Sequence, residues 1–294
     1  MIKSYKLRRG IANTLIYIIL AVMCIIWIFP LVWLVLHSFR INPLDPTIAP
    51  VINYHGIFPK FNELGFDNYI SLFKDTDYLI WFKNTLIVSV ASCIISTLSV
   101  LMVAYTFSRL RFKARKPFIN VGMIMGMFPG FMTTIALYHI LTVIKLDHTL
   151  LGLILCYSGG AGLGYLVAKG FFDTIPRALD EAATIDGANR NQIFWKIILP
   201  MSKPIVVYTV LTSFIGPWCD FILVNIIMGS SGEYDHLWTV SKGLMYWTGR
   251  QQMSDGSFRW FLSGSVIVAI PITSLFLYMQ KYYVEGVTAG GVKG

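Results

Sequence analysis

The sequence predicts an all-α polytopic membrane protein with six transmembrane helices and a helical cytoplasmic loop. Two observations carry this. Hydrophobic residues make up 55% of the 294-residue chain and charged residues only 13%, with a mean hydropathy of +0.64, whereas a soluble domain carries roughly 25% charged residues. The apolar residues also fall into stretches of the length that crosses a bilayer core, roughly 20 helical residues for ~30 Å. The same composition excludes a soluble enzyme, a disordered chain and a disulfide scaffold.

The first apolar stretch, about 16–36, follows a basic start (Lys3, Lys6, Arg8, Arg9). It is too long for the core of a signal peptide and lacks a small-residue cleavage site, so it reads as a retained span. The next five are about 85–107, 118–137, 150–167, 204–224 and 260–278. None alternates with period two, which excludes barrel strands. The whole chain, 1–294, reads as a single transmembrane domain with a helical loop at 171–203.

Charge gives the orientation. Sixteen of the 24 Lys and Arg residues lie in the N-terminus, the second-to-third connection (Arg109, Arg111, Lys113, Arg115, Lys116), the fourth-to-fifth connection and the C-terminal tail. By the positive-inside rule these segments, and both termini, are cytoplasmic. The net charge of +9 is therefore a topology signal that meets membrane lipid. No basic groove interleaved with aromatics points to nucleic acid. Two external connections are long, 40–83 and 225–259; the second, with its glycines and tryptophans, suits a finger touching an external partner or a lid packed on its own spans.

The cysteines (Cys24, Cys93, Cys156, Cys219) have no metal-ligand spacing and read as packing residues. No phosphate-loop motif, paired intramembrane carboxylate or nucleophile elbow occurs, so neither ATP hydrolysis nor covalent chemistry is expected of this chain. The glycine-rich run 159–164 and the row Gly122, Gly126, Gly130 read as small residues for close helix approach. One carboxylate, Asp220, falls inside a span. At 1.5 Å per residue it lies roughly 24 Å beyond Pro204. A charge there must face water or find a partner, so Asp220 either lines a polar pathway or hydrogen-bonds a neighbouring helix, and Tyr138 and Trp218 offer aromatic faces that suit either stacking along such a pathway or anchoring at the membrane interface.

The fourth-to-fifth connection carries the most information. Pro176 opens a short helix with Asp180 and Glu181 in its first turns, as the helix dipole favours. Gly187 permits a sharp turn, and a second helix with Ile193, Phe194, Ile197 and Ile198 on one face is expected to end at Pro200 and Pro204. This is a helix–turn–helix with a small-residue knob at Ala182-Ala183.

Glu181-Ala182-Ala183, three residues, Gly187, nine residues, then Ile197-x-Leu199-Pro200 resembles, without a gap, the coupling-loop signature of permease subunits of ABC importers. Residues 104–112, the segment Pro217-Trp218-Cys219-Asp220-Phe221 and the tail 286–294 look like segments of the carbohydrate, maltose/maltodextrin-type branch, and six spans resembles its smaller permease. The resemblance implies a heterodimer with a second related permease, two ATPase subunits that hold ATP and Mg on behalf of the assembly, and an extracytoplasmic solute-binding protein delivering an oligosaccharide. It also implies that Glu181, Ala182, Ala183, Asp186, Gly187, Ile197, Leu199 and Pro200 form the ATPase-coupling site, and that Gly290, Gly291 and Lys293 reach the ATPase. No cofactor or metal is expected in this chain. A galacto-oligosaccharide importer is the nearest alternative. A secondary transporter would need ion-relay residues and repeats that the sequence lacks, and a scaffold or membrane enzyme leaves the loop signature unexplained.

Overall fold

The computed structural model describes residues 2–41, 58–159, 164–229, 232–249 and 257–291, with side chains from residue 10 to residue 282. The described residues are helical apart from turns and one isolated antiparallel bridge between Arg40 and Leu64. Two compact units emerge, residues 1–76 with 246–267, and residues 77–245 with 268–294.

In the first unit, helix α1 (Ile2–Ser38) is exposed along residues 10–32, which suits an apolar helix whose solvent is lipid. Its end is tied down by polar bonds. Asn68, in α2 (Asp67–Asp75), donates from Nδ2 to the carbonyls of Ser38 (3.0 Å) and Arg40 (2.8 Å). Arg40 also pairs with Glu63 at 2.9 Å, and Trp260 Nε1 donates to Ser71 Oγ at 2.9 Å.

The second unit is built on α3 (Tyr78–Arg109). Around it lie α4 (Arg115–Gly126), α5 (Gly130–Val143), α6 (Leu150–Gly159), α7 (Gly164–Asp173), α8 (Ala178–Ile185), α9 (Arg190–Met201), α10 (Lys203–Cys219), α11 (Ile222–Met228) and α12 (Val240–Tyr246). Helix α13 (Phe258–Gly291) runs through both units. Among the described residues four helices are long and apolar enough to cross a membrane, or up to six if each of two bent helix pairs is one span.

Both bends have a proline cause. The stretch expected as one span over 118–137 is two helices, α4 and α5, meeting at 105°. Pro129 has no N–H to continue the ladder, and its ring forces Phe128 out of helical geometry. The second bend, 84° between α9 and α10, falls at Ser202, because Pro204 cannot donate to the carbonyl of Pro200. Pro200 itself does not end α9 as expected; it is accommodated inside it. The fifth apolar stretch also stops early, at Cys219, and resumes as α11.

One buried face of α3 carries small polar residues every three or four positions from Asn84 and Thr85 through Ser89, Ser92 and Cys93 to Ser96 and Thr97, and resumes after Val100 and Leu101 with Ala104 and Ser108. Such residues let helices approach and bond across the gap where apolar contact alone gives no preference over lipid. Ser89 Oγ donates to the Phe214 carbonyl at 2.5 Å and accepts Trp218 Nε1 at 2.9 Å. Ser213 Oγ donates to Ser96 Oγ at 3.2 Å. Among the expected small-residue contacts, Gly122 is a real one, since a Cβ there would lie 1.9 Å from the Tyr165 hydroxyl, whereas Gly130 has open space.

The start of α3 holds the second long connection. Trp81 Nε1 donates to the Asp235 carbonyl at 2.8 Å, and Asn84 Nδ2 donates to the carbonyls of His236 (2.8 Å) and Trp238 (3.0 Å). Trp238 is fully buried. Lys242, also buried, donates to the Gly229 carbonyl and lies 4.5 Å over the Trp238 ring. Burial pushes its pKa down to about 8, with Asp235 opposing. Residues 235–245 are therefore a packed lid; 250–256, which a finger would use, lie outside the described residues.

Replacing Asn84 with Leu strands the buried Trp238 carbonyl and removes the part-buried bond to His236, at about 1–3 kcal/mol. The variant should insert normally, melt at a lower temperature in detergent and be cut faster by protease between 229 and 240. An unchanged melting temperature and cutting rate would contradict this role.

Candidate functional site

Two features of the second unit could carry function, and α3 joins them. The first is the helical hairpin α8–α9. Asp180 and Glu181 occupy the first turn of α8, where the dipole favours them. Asp186 closes the helix, its N–H donating to the Ala182 carbonyl at 3.0 Å. Gly187 then turns the chain with φ +84°, a conformation that a side chain disfavours, and its N–H donates to the Thr184 carbonyl at 3.0 Å. Asn189 opens α9 with a reciprocal cap, accepting the Gln192 N–H at 2.9 Å while Gln192 Oε1 accepts the Asn189 N–H at 2.8 Å. Within α9 the segment Phe194–Ile198 widens to a π-helix.

The hairpin is anchored on both of its inner surfaces. Ala183, Ile193, Phe194 and Ile198 join a buried cluster with Val100, Leu101, Ala104 and Tyr105 of α3 and with Ala168 and Phe172 of α7. Ile197 and Leu199 pack against that cluster. Polar bonds surround it. Arg109 Nε lies 3.1 Å from Asp180 Oδ2, with the two side chains 5% and 21% exposed, and Arg109 also donates to the Ile175 carbonyl at 3.0 Å. Arg177 donates to the Ser108 carbonyl at 3.2 Å, Ser108 Oγ donates to Asp173 at 2.6 Å, and the Tyr105 hydroxyl donates to the Arg190 carbonyl at 3.2 Å.

The outer surface presents a different set. Glu181 and Ala182 are exposed, and no ion pair involves Glu181 among the described residues. Ala183 is 7% exposed, so it faces the chain's own cluster and is not part of an outward knob with Ala182. The outward apolar residue is Ile185, 86% exposed. Sequence reasoning passed over it because an isoleucine beside an Ala-Ala pair reads as one more apolar position. Its signal is register: on α8 it lies three and four residues from Ala182 and Glu181, on their face and not on that of Ala183. Pro200 is exposed. Gly290 and Gly291 lie in the last turn of α13, and Lys293 lies outside the described residues.

The second feature is a cavity of about 480 Å³ beside α3 and α10. Tyr208, Thr209, Thr212, Ser213, Gly216 and Asp220 line it from α10 and its end, Ser96 from α3, Thr134 from α5 and Tyr157 from α6. The α10 residues recur at helical spacing, so one polar face of an otherwise apolar helix meets the cavity. Of the three expected pathway residues only Asp220 lines it. Trp218 is 2% exposed, bonded to Ser89 and packed edge-on to Phe82 at 5.1 Å; it is a packing residue in this chain. Tyr138 is half-buried and outside the lining. Asp220 Oδ1 accepts the Leu223 N–H at 3.1 Å, capping the start of α11, and its carbonyl accepts Ser241 Oγ at 2.8 Å. The carboxylate thus closes one helix break and faces the cavity. Among the described residues no cluster of His, Cys, Asp and Glu could hold a metal.

Apolar helices enclosing a polar-lined cavity, with an exposed helical hairpin fastened to the same helices, have the parts of a membrane transport subunit. The chain belongs to the family described as "Binding-protein-dependent transport system inner membrane component", which matches residues 95–288. It is 35% identical to a galactooligosaccharides transport system permease protein of Bacillus subtilis, with all of both chains covered. It is 32% identical to a maltodextrin transport system permease protein of Streptococcus pneumoniae, again over all of both chains. Its fold resembles a chain in the crystal structure of a bacterial ABC transporter involved in the import of the acidic polysaccharide alginate, with a TM-score of 0.74, 19% identity, and coverage of 93% of this chain and 96% of that one.

The cap and the charge of Asp220 are separable. Asp220→Asn keeps an acceptor for Leu223 N–H and should leave the melting temperature unchanged, whereas Asp220→Ala should lose about 0.5–2 kcal/mol of stability. Equal melting of wild type and Asp220→Ala would contradict the capping role.

Proposed function

We propose that this chain is one of two permeases of an ATP-driven oligosaccharide importer, in the cell membrane with both termini cytoplasmic. A second related permease completes the pathway. Two ATPase subunits, which bind ATP and Mg, dock on the hairpin α8–α9, and an extracytoplasmic solute-binding protein delivers the sugar to the opposite side. The observation that carries the reading is the attachment of the hairpin to α3, whose other residues line the cavity. A push on the hairpin moves the cavity wall, because Arg109, Asp180 and the buried cluster leave no soft joint between them.

In this reading Glu181, Ala182 and Ile185 meet the ATPase. Ala183, Ile193, Phe194 and Ile198 transmit its movement into α3 and α7, and Asp186 and Gly187 keep the turn. Ile197, Leu199 and Pro200 connect the hairpin to α10, and the C-terminal Gly290, Gly291 and Lys293 extend toward the ATPase. The cavity hydroxyls and the Asp220 carboxylate suit the hydroxyl groups of a sugar. The relatives named for maltodextrin and for galactooligosaccharides support a neutral oligosaccharide as cargo.

The test is charge reversal at Glu181. An interfacial pair that loses one partner costs about 2–5 kcal/mol when the other charge is stranded. Glu181→Lys should therefore abolish sugar-stimulated ATP hydrolysis and reduce copurification of the ATPase, with membrane insertion intact. Wild-type values for both quantities would reject the coupling assignment.

A further inference from the structure

Beside the hairpin, and not used by it, lies a groove of about 340 Å³ lined by Met102, Val103, Thr106, Phe107, Phe112 and Phe118. Its only polar side chain, Thr106, spends its hydroxyl on the Met102 carbonyl at 2.9 Å. Phe107 stacks on Phe112 with centroids 6.0 Å apart, which gives the groove an aromatic floor. Its walls stay open, since Met102 is 52% and Phe118 60% exposed. An acyl chain fits such a surface, whereas water gains nothing from it.

Cations neighbour the groove residues in the chain. Arg111 and Lys113 flank Phe112 in the chain, so their Cα atoms lie about 3.8 Å from its own. Arg115 and Lys116 stand in the first turn of α4, three and two residues before Phe118. Arg111, Lys113 and Lys116 are exposed and take part in no ion pair among the described residues, and 109–117 contains no acid. The first turn of α4 has neither an acidic residue nor a side-chain cap. Arg115 interacts with the Asp173 carboxylate, whereas Lys116 at this helix start opposes the dipole unless an anion joins it. An unpaired basic cluster bordering an apolar groove calls for a ligand that is anionic at one end and apolar at the other.

We infer that this groove is a binding site for an anionic phospholipid, its acyl chain lying on Phe107, Phe112 and Phe118 and its phosphate group held by Arg111, Lys113 and Lys116. The site is adjacent to the joint between α3 and the hairpin, because Arg109 precedes the cluster by two residues and pairs with Asp180. Bound lipid braces that joint from outside. The inference depends on the groove and its cations, not on which sugar is carried.

The test uses the full-length chain in detergent, exposed to equal amounts of phosphatidylglycerol and phosphatidylcholine with identical acyl chains, with retained lipid counted by native mass spectrometry. The wild type should retain phosphatidylglycerol preferentially. The triple variant Arg111→Gln, Lys113→Gln, Lys116→Gln should lose that preference by at least about fivefold, the effect of removing even one ~1 kcal/mol surface attraction. Neutralising Lys3, Lys6 and Arg9 removes the same charge elsewhere and should leave the preference. Val103→Trp, which fills the groove, should reduce retention of both lipids. Equal retention of the two lipids by the wild type would overturn the site. So would an unchanged preference in the triple variant, or an equal loss in the Lys3, Lys6, Arg9 variant. These readouts involve neither ATP nor sugar, so their failure leaves the transport reading untouched.

Discussion

The ion pair between Arg109 and Asp180, with the buried alanine and aromatic contacts behind it, is the constraint on which the functional geometry depends. It joins the end of α3 to the hairpin in a setting where Arg109 is 5% exposed. A pair in water contributes little. A shielded one costs heavily to break, because the remaining charge is left without a partner. Arg109 is doubly committed through its bond to the Ile175 carbonyl, so the hairpin is held at the end of one helix and the start of another. The exposed residues Glu181, Ala182 and Ile185 owe their fixed position to this inward side.

From that joint the rest follows along α3. Ser89, Cys93 and Ser96 fasten α3 to α10 by hydrogen bonds. The same close approach leaves the polar face of α10 facing the cavity. At its far end α3 holds the lid through Trp81 and Asn84. One helix therefore touches the hairpin, the cavity and the lid of its unit.

The helical membrane class was readable because bilayer thickness dictates the length of an apolar run, and composition records it directly. The hairpin was readable for a local reason: Gly187 and the first-turn acids of α8 act through nearby backbone. The bends were less readable. Pro129 and Pro204 break their helices as proline chemistry requires, but hydropathy averaged over a window does not register a missing N–H. Tertiary choices were hidden altogether. Trp218 and Ala183 look like outward residues by type, and both are buried by neighbours that lie far away in the chain or on another helix. The cavity face of α10 had a signal, hydroxyls at helical spacing in Tyr208, Thr209, Thr212 and Ser213, masked by the apolar residues between them.

In the proposed importer the hairpin and the α3 wall of the cavity move as one body when the ATPases close. Spin labels at Thr184→Cys on α8 and Leu98→Cys on α3, in a background lacking the native cysteines, report that distance by pulsed electron resonance in the reconstituted importer. The distance should be the same with and without ATP, to within the about 1–2 Å of ordinary helix shifts, and its distribution should broaden when Arg109→Ala is added. An ATP-driven change of about 5 Å or more in the wild type, the size of a one-turn slip, would contradict movement as one body.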